Sequence, residues 1–413
     1  MKIFFITKRQ YMLKDLLDDR FGRLSELALG LADLGHEVAG TVLSYSVCPE
    51  GEYRIKSQKT GKEVAWNSFN AGRFRPFGLA RFARSALHLA RAFKPDLIVA
   101  SSDTFYIVLG WRLAHRVGVP FVADLYDNYE SFSSARIPGL LPLYRYAIKA
   151  ADGAMCISQP LATYLRTSCG RAGPIIVVEN AIDAEVFHRR DRAECRRRLG
   201  LPEGALIVGT AGALYRNRNI EVLLRAFDIL IGRRDDVVLA LAGPRDIEIP
   251  DHPQVHDSGV LDWHDVANFV NALDVGVICN RDSAFGNFCF PQKAYEMIGC
   301  EIPICAAAVG SMKLLLEDWQ QCLFEPDNAE GLAHVIEEQF ARPIWPALAV
   351  PTWGGLARRT ACFLESVVAG GTVPRLFEPD DVTLDAVERA AAATGGSSDR
   401  VTPSAQPPRS ANS

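Results

Sequence analysis

The sequence predicts an α/β protein made of two doubly wound halves, and three observations carry that prediction. Apolar, strand-like runs alternate with segments of helical periodicity through the first half, and the same plan begins again at ALIVGTAGA. The length, 413 residues, exceeds what one ordinary hydrophobic core accommodates.

In the first half KIFFIT reads as a strand, FGRLSELALGLADLG as a helix and HEVAGTVLS as a second strand. PDLIVASS (95 to 102) is a strand, a helix is expected from about Tyr106 to Val117, and PFVADLYD is the next strand. DGAMCIS, the helix PLATYLRTS and the strand IIVVENAI complete this half. Strands separated by helices imply a parallel sheet with crossover helices on its faces. In the second half the strands ALIVGTAGA, VVLALAG and DVGVICN alternate with the helices NIEVLLRAFDILIGR and WHDVANFVNAL, and AEGLAHVIEEQFA closes the domain. A proline-rich crossing, RPIWPALAVPTW, leads to one more helix, WGGLARRTACFLESVV. The expected boundaries are 1–185, 186–345 and a crossover helix within 346–370 that packs back on the N-terminal domain. The Ser/Pro/Gly-rich stretch 371–413 has no periodicity and is expected to be disordered. Two such halves leave a cleft at the carboxyl ends of their strands, where sheets of this kind bind ligands.

A composition of 48% hydrophobic and 23% charged residues is that of a globular protein, and a net charge of −4 argues against nucleic-acid binding. MKIFFITKRQ holds too short an apolar run for a signal peptide, and no run of about 18 apolar residues follows. The ten cysteines are scattered without a C-x-x-C pair and read as reduced, buried thiols, so a cytoplasmic location is expected, with peripheral contact on the inner face of a membrane as an option. Between Arg73 and Lys94 six basic residues interleave with Phe74, Phe77 and Phe82. Two readings stand for this stretch: a basic amphipathic helix on an anionic membrane surface, or a solvated helix whose apolar side packs on the sheet. The six arginines of HRRDRAECRRRLG (188 to 200) read as a solvated helix between the halves.

FGNFCFPQKAYEMIGCEIPICAAAVGS, residues 285 to 311, places a charged pair, Lys293 and Glu296, between a proline-broken loop and an apolar run. One reading is structural: a helix over Gln292 to Ile298 started by Pro291 and capped by Gly299, with Glu296 paired to Lys293 one turn earlier. The other is functional: the helix N-terminus offers N–H groups to an anion, and a carboxylate one turn in holds a sugar hydroxyl.

Several segments, in order along the chain, resemble the retaining GT-B glycosyltransferases, family 4 above all, over roughly residues 1 to 368. FGRLSELALGLADLGHEV is similar to that family's first loop and helix, and KPDLIVASS with VPFVADLYDNYE to its Lys-Pro-Asp strand and the acidic strand end beyond. VVENAIDAEVF resembles the element leading into the second domain, GTAGALYRNRNIEVLLRAF the donor-domain strand, phosphate loop and helix. DNAEGLAHVI and the helix at Trp353 are also similar to family elements.

The resemblance implies a GT-B fold and transfer of a sugar from a nucleotide-diphosphate donor to a hydroxyl acceptor, a glycan or lipid-linked saccharide, with retention. It implies no resident cofactor and no metal, and no Asp-x-Asp triplet is present. The chemical need is to stabilise charge building on the leaving phosphate. The family's basic pair maps onto Ala213 and Arg218, so the role falls to Arg218 helped by Arg216. Of the family's two glutamates, the second matches Glu296 and the first falls at Phe288. FPQKAYE is similar to a Pro-x-Lys-x-x-Glu variant, which sets Glu296 on the ribose and Lys293 on the phosphates, with Asn287, Phe290 and Gly212 also on the donor side. Gly22 with Arg23 brings backbone towards the donor phosphate. Asp124, Tyr126, Asp127 and Glu130 stand on the acceptor side, Tyr126 where the family often has a histidine, and Asp127 joins Lys293 and Arg218 as a candidate catalytic group. The alternatives on the same architecture are a catalytically silent nucleotide-sugar-binding or partner subunit and a nucleotide-sugar 2-epimerase.

Overall fold

Segment KIFFITK buries five consecutive side chains, as a strand covered on both faces must. In the computed structural model, which describes residues 1–11, 14–19 and 22–370, this segment is β1 (Lys2–Lys8). The tail expected to be disordered lies outside the described residues.

After β1 come the small antiparallel pair β2 (Gln10–Tyr11) and β3 (Lys14–Asp15), α1 (Arg23–Asp33), β4 (Glu37–Ser44), β5 (Gly51–Lys56) and β6 (Glu63–Asn70). Then follow α2 (Arg75–Phe93), β7 (Leu97–Ser101), α3 (Thr104–Val117), β8 (Phe121–Leu125), α4 (Leu140–Ala150), β9 (Gly153–Cys156), α5 (Gln159–Thr167) and β10 (Ile175–Val177). Eight strands form one sheet in the order β10-β9-β8-β7-β1-β4-β6-β5, parallel except for β5 against β6. The β5–β6 pair is absent from the sequence expectations. Its side chains alternate between exposed and buried, the pattern of an edge with one wet face, and it contains few of the long apolar runs that marked the other strands.

The second half comprises α6 (Arg192–Leu199), β11 (Leu206–Ala211), α7 (Ile220–Ile231), β12 (Val237–Ala242), β13 (Val255–Asp257), α8 (Trp263–Ala272) and β14 (Val275–Ile278). It continues with α9 (Ala284–Phe288), α10 (Gln292–Gly299), β15 (Ile304–Ala307), α11 (Gly310–Leu315), β16 (Leu323–Phe324) and α12 (Ala329–Ala341). Its six strands are parallel, in the order β13-β12-β11-β14-β15-β16. Leu223 and Phe227 of α7 and Ile336 of α12 close the core over Leu239 and Val275. The last helix, α13 (Trp353–Val368), returns to α1, where Gly30 permits the contact: a Cβ there would lie 2.5 Å from that of Ala357.

Two local expectations are corrected. Gly299 is the last residue of α10 rather than its cap, and Cys300 takes the capping position. The arginines of 188–200 are more than a solvated face, because α6 packs on α8 and carries Arg196 inward. Arg196 is 4% exposed, donates to the Ala272 carbonyl at 2.9 Å and to the Glu203 carbonyl at 2.8 Å, and pairs with Asp274 at 2.6 Å. A cation at the carboxyl end of α8 also complements that helix's dipole. Among the described residues no helix is long and apolar enough to cross a membrane.

Candidate active site

The carboxyl end of β11 turns sharply at Gly212, whose φ of 107° suits glycine. A Cβ on the neighbouring Gly243 would lie 1.9 Å from the Gly212 carbonyl oxygen, so the two loops meet only because Gly243 lacks a side chain. The gap is filled by Lys293 from the first turn of α10: its Nζ donates to Thr210 Oγ1 at 3.2 Å, and a Cβ on Gly212 would lie 3.7 Å from it. The N-cap of α10 is Pro291, which supplies no side-chain acceptor, so the first N–H groups of the helix are left for a ligand or water.

One turn on, Glu296 accepts a hydrogen bond from Gln292 Nε2 at 2.9 Å. Lys293 and Glu296 therefore each take a different partner, and the one-turn ion pair of the structural reading is not formed. Both groups feel the closeness of protein on most sides. Burial pushes the Glu296 carboxyl up to about 7, against the pull of Gln292 and Lys293. Burial, and then the Arg218 charge, push the Lys293 ammonium down to about 8.

The raised Glu296 carboxyl makes stability depend on pH. A carboxyl whose pKa is raised by folding contributes stability below about 4.5, and that contribution is lost as pH rises through about 7. Glu296→Gln keeps the side-chain length and removes the charge. It is expected to melt with the parent near pH 4.5 and above it near pH 8, by about 1–2 kcal/mol after allowing for partial exposure. Equal melting temperatures at both pH values would remove the strained carboxylate from the account.

Arg218 ends a short helical turn, Arg216–Arg218, before the left-handed Asn219, whose side chain is anchored on Asp327 at 2.8 Å. Its guanidinium lies 4.2 Å from the centre of the Phe285 ring, and it has no ion-pair partner among the described residues. Arg216 uses its backbone N–H on Asp246 at 2.8 Å and leaves its side chain in solvent.

The segment from Phe285 to Phe290 spans to the N-terminal half. Ser158, which caps α5, donates to the Phe288 carbonyl at 2.7 Å, and the Phe288 ring lies 4.9 Å from that of Tyr164. Asn180 Nδ2 donates to the Phe290 carbonyl at 3.2 Å, and the Phe290 ring stacks on Tyr295 at 4.7 Å. Asn287 is turned onto Asp282 at 2.7 Å. At the position where a first glutamate was missed, an aromatic side chain thus fixes the loop to the other half.

Opposite Arg218, just past β8, stands Asp127. It is 4% exposed and accepts the Asn128 N–H at 2.8 Å. Burial pushes its carboxyl up to about 6, while Arg218 and Lys8 oppose the shift. Lys8, at the end of β1, lies over the rings of Tyr11 and Phe132 at 5.2 and 5.7 Å. Burial lowers its pKa despite Asp103 and Asp127. Tyr126 is buried with its ring edge-on to Tyr11 at 4.7 Å.

The other acids of this strand end turn inward. Asp124 is fully buried, paired with Arg23 at 2.7 Å and accepting from Ser101 at 3.1 Å. Arg23 also donates to the Val178 and Glu179 carbonyls, while Gly22 ahead of it takes a φ of 85° that leaves its backbone uncovered by any side chain of its own. Glu130 receives Arg145 through two hydrogen bonds and Tyr164 at 3.0 Å; burial works against its charge, but these donors hold its carboxyl below the usual range.

The structure therefore gathers Gly212, Lys293, Glu296, Arg218 and Asp127 around one cleft, and spends Asp124, Glu130 and Arg23's side chain on internal contacts. Lys8, Tyr11, Thr210 and Phe285 join the cleft without having been singled out in the sequence. The Lys8 and Thr210 positions, at the carboxyl ends of β1 and β11, carry a local signal that cleft residues stand there. Cationic Arg218 and Lys293 on one wall, with a carboxylate at the back, can hold a phosphorylated ligand and a hydroxyl-rich group beside it.

Comparison with known proteins gives the family and the fold. The Glycosyltransferase Family 4 model matches residues 23–186, and the Glycosyl transferases group 1 model matches residues 205–341. The chain is similar to the D-inositol 3-phosphate glycosyltransferase of Kribbella flavida, 25% identical over 351 residues that cover 77% of this chain and 82% of that protein. Its counterpart from Stackebrandtia nassauensis is 30% identical over 296 residues, covering 64% and 66%. The sucrose-phosphate synthase of Thermosynechococcus elongatus superposes with a TM-score of 0.66 at 20% identity over 95% of this chain and 98% of that one. Anabaena HepE in complex with UDP-glucose superposes at 0.62 with 18% identity, over 95% and 100%. At these identities the two structures speak for the fold.

Proposed function

The chain belongs to the family 4-like GT-B glycosyltransferases, and from that premise we propose that it moves a sugar from a nucleoside-diphosphate donor to a hydroxyl acceptor, a glycan or lipid-linked saccharide, with retention at the anomeric carbon. The observation that carries the donor side is the convergence of Lys293, Arg218 and the uncapped start of α10 one turn from Glu296. In this reading Glu296 accepts the ribose hydroxyls, while Lys293 and Arg218 hold the diphosphate, with Arg216 swinging in from solvent. As the sugar–phosphate bond breaks, negative charge grows on the leaving oxygen. Two cations and the helix N-terminus meet it there without a metal ion. Asp127 stands on the acceptor side of the same cleft, where its raised pKa suits a group that shares a proton with a hydroxyl. The departing phosphate itself can take the acceptor's proton. Cytoplasmic placement goes with a nucleotide-activated donor.

The test is a thermal-shift titration with UDP, GDP and ADP and their glucose derivatives, UDP first because a neighbour in fold is held in complex with it. A ligand bound to the folded state raises the melting temperature as its concentration passes Kd, by about 2.7 kcal/mol of stability at a hundredfold excess. One nucleotide series is expected to shift the parent and to lose most of its shift in Glu296→Ala. Shifts retained in that variant would sink the ribose assignment. No shift with any nucleotide would favour the silent partner subunit, a reading that the phenylalanine at 288 in place of a carboxylate keeps open.

A further inference from the structure

The helices α2, α3 and α4 pack side by side over one face of the N-terminal sheet, and none of the three carries an aspartate or glutamate. In a chain with a net charge of −4 such an acid-free layer is a strong local asymmetry. Arg81 and Arg145 of this layer are neutralised from outside it by Glu50 and Glu130. Arg84, Arg91, Arg112, Arg116 and Lys149 are exposed and have no ion-pair partner among the described residues.

Apolar side chains stand in solvent beside these cations. Phe74 and Phe77, at the start of α2, are 73% and 66% exposed, and Tyr146 of α4 is 58% exposed. Tyr146 meets Trp111 of α3 edge-on at 5.2 Å, and the two rings with Leu143, Arg112, His115 and Arg116 line an open groove of about 570 Å³. Folding gains nothing from displaying two phenylalanines. Cations suit any polyanion, but aromatic rings that project between them suit a partner with an apolar interior beneath an anionic skin.

We propose that the α2–α3–α4 face docks on an anionic lipid surface. Arginine and lysine heads meet the phosphate groups, Tyr146 and Trp111 lie at headgroup level, and Phe74 and Phe77 enter the acyl boundary. The docking needs no nucleotide and no acceptor, so it stands or falls apart from the glycosyltransfer reading.

Flotation of the purified chain with phosphatidylglycerol/phosphatidylcholine vesicles, and with phosphatidylcholine alone, tests it. The parent is expected to float with the anionic vesicles and not the neutral ones, and to be released by salt. Each cation near the surface contributes roughly a fivefold factor in partition, so Arg112→Glu with Arg116→Glu should weaken binding by more than tenfold. Phe74→Ser with Phe77→Ser, at exposed positions that leave the core intact, should also lose binding while melting with the parent. The idea is overturned by a parent that ignores anionic vesicles, or by serine variants that bind as well as the parent. Equal binding to a short DNA duplex at the same salt, unaffected by the serine changes, would overturn it in favour of a general polyanion surface.

Discussion

Lys293→Met is expected to lower kcat for sugar transfer by about 10²–10³-fold, the loss seen when one donor to a developing oxyanion is removed. Lys293 reaches the mouth of β11, where its Nζ is held by Thr210 and its side chain lies beside Gly212. The ammonium is under strain: burial, then Arg218, hold its pKa near 8. A lysine whose pKa is lowered by folding costs stability while it is charged. That cost is present below about pH 8 and relaxes as pH rises from about 8 towards the ordinary lysine range. The methionine variant should therefore melt above the parent at pH 7, by about 1–2 kcal/mol after allowing for solvent at the site, while losing activity. The two readouts move in opposite directions, which a merely structural lysine would not produce. Activity within threefold of the parent would remove Lys293 from the phosphate. Nucleotide binding by the parent should also follow a bell in pH, with an acid limb near 7 from Glu296 and an alkaline limb near 8 from Lys293.

Arg23→Met is expected to destabilise the N-terminal half by about 3–5 kcal/mol, because it leaves the Asp124 carboxylate buried and unpaired. Asp124 is fully buried, and without Arg23 its side chain keeps, among the described residues, the Ser101 hydroxyl. Arg23 also ties α1 to the carbonyls of Val178 and Glu179, the chain that leads out of β10 towards the second half. The melting temperature should fall by several degrees, on the scale of about 2–4 °C per kcal/mol for domains of this size. Pairing the change with Asp124→Leu should restore much of the loss, since a buried ion pair replaced by apolar side chains is often neutral. A single variant that melts with the parent would show that the pair is dispensable. Loss of nucleotide binding at unchanged stability would return Arg23 to the donor side.

The strands with long apolar runs, their alternation with helices and the return of the plan after β10 were legible because parallel sheets buried on both faces write their burial into consecutive residues. The β5–β6 pair was not, since a half-wet edge leaves a weaker mark. At the site, the spacing of Lys293 and Glu296 sat within one helix turn, and their neighbourhood could be argued from that spacing alone.

Which partner each of those groups takes was another matter. Thr210 and Lys293 lie on β11 and α10, Arg218 and Phe285 on separate loops, and Ser158 and Phe288 in different halves. Local pattern records the chemistry available at each position: an acid at a strand end, an arginine before a helix. It does not record distance. Asp124, Asp127 and Glu130 look alike in the chain, yet Asp124 meets Arg23, Glu130 meets Arg145, and Asp127 is left facing Arg218 across the cleft. Residue type and periodicity set the two-sheet architecture, because burial and turn formation act over a few residues, and the resemblance to family 4 singled out the candidates. The choice among equal candidates came from the packing of the two halves, because desolvation and pairing depend on neighbours that the chain brings together only when it is folded.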